Sequence, residues 1–144
     1  VASNYSEKLK KAMLRIGSVS RVASFNSNLY TFTYRSRTAT DPFPLVMLLQ
    51  SKRTGNAFYT AKNGNRYMLA VNLNYVEDEG VRDLIVERLS QKGPIPWRHA
   101  QMIKRFFTRL GASEVGDYVR QYDIRKLRDL SVVDPTKYLG VDPF

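Results

Sequence analysis

The chain has 144 residues, 43% hydrophobic and 12% aromatic, with a net charge of +10, a composition that suits one globular domain and excludes a disordered chain. It has no cysteine and one histidine, which rules out disulfides, cysteine-based metal sites and histidine clusters. No apolar run approaches the roughly 20 residues that span a bilayer, and the opening Val1-Ala2-Ser3-Asn4-Tyr5 has no signal-peptide core, so a cytoplasmic product without a membrane partner is expected.

Ser6 suits the N-cap of a first helix over residues 6–16, ended by Gly17. Leu9, Ala12, Met13 and Ile16 share one face of it, with Lys8, Lys10, Lys11 and Arg15 around the rest. It reads either as a domain cap or as an arm on an anionic partner. Residues 19–25 and 29–37 read as strands joined at Asn26-Ser27-Asn28. In the second, Tyr30, Phe32 and Tyr34 alternate with Leu29, Thr31 and Thr33, a period of two in strong β formers. Those aromatics, beside Arg35 and Arg37, suit a core first and a base-stacking platform second.

Residues 44–49 form a continuous apolar run, the pattern of a central strand. A polar turn at 51–56 follows, with adjacent cations Lys52 and Arg53. Segments 57–62 and 65–73 then flank Asn63-Gly64, a hairpin signal of the type I′ kind. Along the return strand Tyr67, Leu69, Val71 and Leu73 point one way, and Met68, Ala70, Asn72 and Asn74 the other.

Glu77-Asp78-Glu79 starts a helix over 77–91, with Val81, Leu84, Ile85 and Leu89 at helical spacing. Gly93 and Pro94 stop it, and residues 97–110 predict another, apolar through Met102, Ile103, Phe106, Phe107 and Leu110 and basic through Arg98, Arg105 and Arg109. Ser113 suits a further cap, and residues 119–130 continue a mixed-charge, weakly amphipathic helical pattern. The last stretch, 131–144, reads as an extended tail whose Tyr138, Leu139, Val141 and Phe144 dock on a neighbour. The predicted core joins Leu45, Val46, Leu48, Leu69, Val71, Leu84, Ile85, Phe106 and Phe107.

Charge is distributed unevenly. Residues 1–76 hold 11 Lys/Arg against Glu7 and Asp41, a net +9, whereas residues 77–144 are nearly balanced. A one-sided field favours a polyanion or an acidic protein surface. The candidate anion or partner contacts are Lys8, Lys11, Arg35, Arg37, Lys52, Arg53, Lys62, Arg66, Arg98, Arg105 and Arg109. His99 stands alone, Gly55 and Gly64 form no phosphate-cradling motif, and no nucleophile–base pair can be assembled. The pattern calls for no cofactor, no metal and no enzymatic activity.

Tyr30-Thr31-Phe32-Thr33-Tyr34, Phe43-Pro44-Leu45-Val46 and Ala70-Val71-Asn72-Leu73-Asn74-Tyr75-Val76, followed by Val81-Arg82-Asp83-Leu84, resemble short structural proteins of large contractile-tailed bacteriophages. The resemblance covers roughly residues 30–90, with an echo at Ile103-Lys104-Arg105-Phe106-Phe107, and departs from the pattern in the long helical C-terminal part. It implies a virion component in the neck, tail or baseplate region, assembled in the host cytoplasm, with other virion subunits and DNA as possible partners.

The expected architecture is therefore a single α+β domain. A small antiparallel sheet or SH3-like barrel of about five strands (residues 19–76) is flanked by the N-terminal helix and three to four C-terminal helices (77–130). The expected function is a non-enzymatic structural virion subunit. The alternative is a stand-alone nucleic-acid-binding module with a basic small-barrel face.

Overall fold

The computed structural model describes residues 7–37, 41–52, 54–99, 105 and 118–140. Its framework, among the described residues, is one antiparallel sheet of seven strands: β1 (Met13–Arg15), β2 (Leu29–Tyr34), β3 (Leu45–Leu48), β4 (Phe58–Thr60), β5 (Arg66–Asn72), β6 (Val119–Asp123) and β7 (Leu127–Val133). The strands run in the order β1-β7-β2-β3-β5-β4, with β6 also paired to β5. Among the described residues the bounded α-helices are α1 (Glu7–Ala12), α2 (Glu79–Leu89) and α3 (Pro135–Leu139), of which only α2 is longer than six residues. This corrects the expected five-stranded sheet or barrel flanked by an N-terminal helix and three to four C-terminal helices: the fold is mostly β.

The continuous apolar run of β3 is explained by burial on both faces, as in other central strands. Leu45 and Met47 enter one core with Leu29, Val71 and Leu73, while Val46 and Leu48 enter a second with Tyr30, Phe32, Met68 and Ala70. Each sequence neighbour goes to the opposite side because side chains alternate along a strand. The first core is roofed by Leu9 and Ala12 of α1, Ile85 and Val86 of α2 and Tyr138 of α3. The sheet curls around the second, so that Phe32 of β2 and Tyr122 of β6 meet edge to face at 5.0 Å. Leu84 is half-buried, and Leu69 packs only at the margin of the first core. Phe106 and Phe107 lie outside the described residues.

Four local expectations are overturned, each for a physical reason. The first helix stops at Ala12, and the chain continues as β1, whose Leu14 stands opposite Val132. Residues 19–24 form a 3₁₀ helix, not a strand; its three-residue turn aligns Val19, Val22 and Phe25 toward the second core. The hairpin is not type I′, because Gly64 has φ +84° while Asn63 does not have positive φ. Instead Gly64 N donates to Ala61 O at 2.9 Å and Ala61 N to Asn65 O at 2.9 Å, a type I turn closed by a left-handed glycine.

The fourth concerns residues 119–130, which are strands rather than a helix. Asp129 has φ +57°, and the β2–β7 register shifts between Thr31 and Thr33. This bulge adds a residue, so Leu127 and Leu130 face the same core three positions apart and mimic helical spacing. The tail is also corrected. Asp134 caps α3, accepting from Thr136 N and Lys137 N; Pro135 begins it, and Gly140 ends it with φ +70°. Tyr138 is 5% exposed inside the chain's own core, and Leu139 packs beside it, so neither is a loose docking residue. Val141 and Phe144 lie outside the described residues.

Candidate anion-binding surface

The second sheet face ends at the 3₁₀ turn Ile124–Lys126, which joins β6 to β7. Asp123 builds this turn: its Oδ1 accepts from Arg125 N at 3.0 Å, leaving the carboxylate to receive Arg125 Nε at 3.2 Å and Nη2 at 2.8 Å. The hydrogen bonds from Arg125 hold the Asp123 pKa below the ordinary carboxylate value. Asp123 N in turn donates to the Tyr34 hydroxyl at 3.0 Å, tying the turn to the aromatic interior. Burial holds the hydroxyls of Tyr34 and Tyr122 in their neutral form, above the ordinary tyrosine range.

Strand register places cations on both sides of this turn. Tyr67 pairs with Asp123, so Arg66 and the hairpin tip with Lys62 lie on one flank. Tyr34 pairs with Leu127 and Thr33 with Arg128, so Arg35 lies on the other. Arg35, Lys62, Arg66, Lys126 and Arg128 are all exposed. Among the described residues the ion pairs involve Lys8, Lys10, Arg15 and Arg125 only, and none of these five. Arg128 is nevertheless held in place, because its Nη1 donates to the carbonyls of Arg125 and Leu127 at 2.7 and 2.8 Å.

Asp41 braces the loop that carries Arg35 and Arg37. It is 3% exposed; its Oδ1 accepts from Phe43 N at 3.0 Å, and its Oδ2 accepts from Asn72 Nδ2 at 3.1 Å and Asn74 Nδ2 at 2.9 Å. The asparagines of the Asn72-Leu73-Asn74-Tyr75 stretch thus have a structural task. Tyr75 receives the Arg120 guanidinium over its ring at 4.8 Å. The Tyr122 hydroxyl is buried beside Asn72, with no hydrogen-bond partner in the described structure.

The predicted contacts do not form one surface. Arg35, Arg37, Lys62 and Arg66 lie around the Ile124–Lys126 turn or on the loop beside it. Lys8 is committed elsewhere, 2.6 Å from Asp83 and 3.5 Å from Glu79, with its ammonium 4.4 Å from the Tyr138 ring. Partial burial opposes its charge, yet the hydrogen bond to Asp83 and the surrounding charges raise its pKa. Lys52 lies over the Trp97 ring at 4.7 Å, with exposed Arg98 next in the chain. Lys11 is exposed on α1, and Arg105 is an exposed helical residue. Arg53 and Arg109 lie outside the described residues.

Arg125, Lys126 and Arg128 were not among the predicted contacts, because residues 119–130 read as a mixed-charge, weakly amphipathic helix. The available signal was Asp123, whose Asx-type turn interrupts that pattern. Tyr30, Phe32 and Tyr34 are buried, which removes them as base platforms. Tyr59 and Tyr67 of the sheet are instead half-exposed, stacked with ring centroids 5.9 Å apart and 28° between planes. His99 is half-buried at the end of a 3₁₀ turn. Among the described residues no group of three or more His, Asp or Glu is placed to hold a metal, and no helix is long and apolar enough to cross a membrane.

No protein-family model, no curated protein and no solved structure matches this chain.

Proposed function

We propose that the chain is a non-enzymatic structural subunit of a tailed-phage virion, placed in the neck, tail or baseplate region, which meets a polyanionic partner through the surface around Ile124–Lys126. The virion assignment rests on the resemblance over residues 30–90. The observation that carries the binding role is the group of five exposed cations without ion-pair partners among the described residues, gathered by strand register around one braced turn. Like charges brought together on a rigid support raise the free energy of the isolated protein slightly, and an anionic partner relieves that repulsion.

The experiment is sedimentation of infected-cell lysates. A virion subunit travels with particles at fixed stoichiometry, and an Arg66→Glu, Lys126→Glu double variant is depleted from them. A chain found only in the soluble fraction overturns the reading and leaves the stand-alone nucleic-acid-binding module in its place.

A further inference from the structure

We infer that the occupant of this surface is single-stranded nucleic acid, with its bases on the Tyr59–Tyr67 pair and its phosphates on the surrounding cations. The inference rests on the binding role proposed above and adds the chemical class of the partner. It begins from a row of planar groups across three adjacent strands. Tyr59 of β4 stands opposite Tyr67 of β5, which stands opposite Asp123 of β6. Opposed residues in antiparallel pairs project to the same face. Asp123 carries the Arg125 guanidinium, held by two charge-assisted hydrogen bonds and still 66% exposed.

The row is therefore tyrosine, tyrosine and arginine, with the two rings 5.9 Å apart between centroids on neighbouring strands. Aromatic rings and guanidinium planes on a sheet are the surfaces on which unpaired bases stack. Asn63 Nδ2 donates to the Tyr67 hydroxyl at 3.1 Å, which fixes that ring from the hairpin tip. Lys62 of the hairpin tip and Lys126 of the 3₁₀ turn border the row, exposed, within reach of a backbone that follows it, whereas Arg66 alternates to the opposite face.

The same features favour an unpaired strand over a duplex, which offers phosphates to the cations but keeps its base faces stacked inside. An acidic protein surface also pairs with cations and packs on tyrosines, and the polyglutamate arm of the test separates it from a single strand.

The test uses the full chain and labelled oligonucleotides in fluorescence anisotropy: oligo(dT), oligo(U) and a DNA duplex of equal length, across a salt series. One of the single strands should bind more tightly than the duplex, with affinity falling steeply with salt as counterions are released. Tyr67→Ala should weaken single-strand binding by about tenfold and leave duplex binding unchanged, while Tyr67→Phe retains the ring and the affinity. A Lys62→Glu, Lys126→Glu variant should lose binding and flatten the salt slope.

Duplex binding equal to or tighter than single-strand binding, or insensitivity to Tyr67→Ala in a protein that Tyr67→Phe shows to be folded, overturns the inference. So does absence of oligonucleotide binding with capture of polyglutamate by the same cations. Particle sedimentation separates the two claims. If oligonucleotide binding fails while charge reversal still depletes the chain from particles, this inference falls and the virion reading stands. The converse result removes the virion reading alone.

Discussion

Asn72 Nδ2 lies 3.1 Å from Asp41 Oδ2, which joins the end of β5 to the loop between β2 and β3 inside the protein. Because Asn74 adds a second amide at 2.9 Å, the buried carboxylate is satisfied by neutral donors rather than by a cation. Asp41→Ala leaves those amides without their acceptor and should cost about 1–3 kcal/mol, the penalty for stranded buried polar groups. Chemical denaturation measures it. Faster exchange of Tyr34 N–H, which bonds Pro42 O at 3.0 Å, should accompany the loss. An unchanged midpoint would show that the loop is held by other contacts.

Leu73 and Leu69 provide a comparison within one strand and its extension. Leu73 is fully buried in the first core, whereas Leu69 packs at its margin. Leu73→Ala should cost about 2–5 kcal/mol through lost transfer energy and the cavity left behind. Leu69→Ala should cost clearly less, because water and side-chain relaxation fill the gap. Equal costs in parallel melts would contradict this placement.

The α3 segment belongs to the domain. Tyr138 sits among residues of α1 and α2, and its amide bonds Asp134 O at 2.9 Å. Tyr138→Ala should destabilise the isolated chain by roughly 3–5 kcal/mol, as large aromatic truncations do. Hydrogen exchange should show the Tyr138 amide protected in the monomer. Fast exchange there without a partner would restore the idea of a docking arm.

Tyr30 and Asp123 each contribute to the pH dependence of stability. Burial pushes the Tyr30 pKa up to about 12 from the ordinary value of 10.0. Its neutral form therefore contributes stability that is complete below pH 10 and lost as the pH rises through 12. Tyr30→Phe should flatten that alkaline loss, at the cost of the hydrogen bond to Val22 O. The depressed Asp123 acts at the other end: its contribution is complete above 3.8 and disappears as pH falls through its lower folded value. Asp123→Asn should remove this part of the acid dependence while keeping a residue able to cap the turn. Melting temperatures across both ranges test the signs; an unchanged acid limb in Asp123→Asn would mean that other carboxylates set it.

Local periodicity made several elements legible. The run at β3 signalled burial on two faces, the alternation along β5 divided Met68 and Ala70 from Leu69 and Val71, and Asp78 with its acidic neighbours marked the start of α2. These signals depend on interactions within a few residues, so they survive in a bare sequence. The identity of residues 119–133 does not. Its partners are β5 and β2, so that Asp123 meets Tyr34 across a separation of 89 residues. The bulge at Asp129 also breaks the period of two that would have marked a strand. The basic surface has the same origin. Arg35, Arg66 and Lys126 occupy distant parts of the chain, and only the register of β2, β5, β6 and β7 brings them around one turn. The chain alone carried the number and sign of its charges; antiparallel pairing decided which of them share a surface, because side-chain neighbours in a sheet are set by register across strands rather than by order along the backbone.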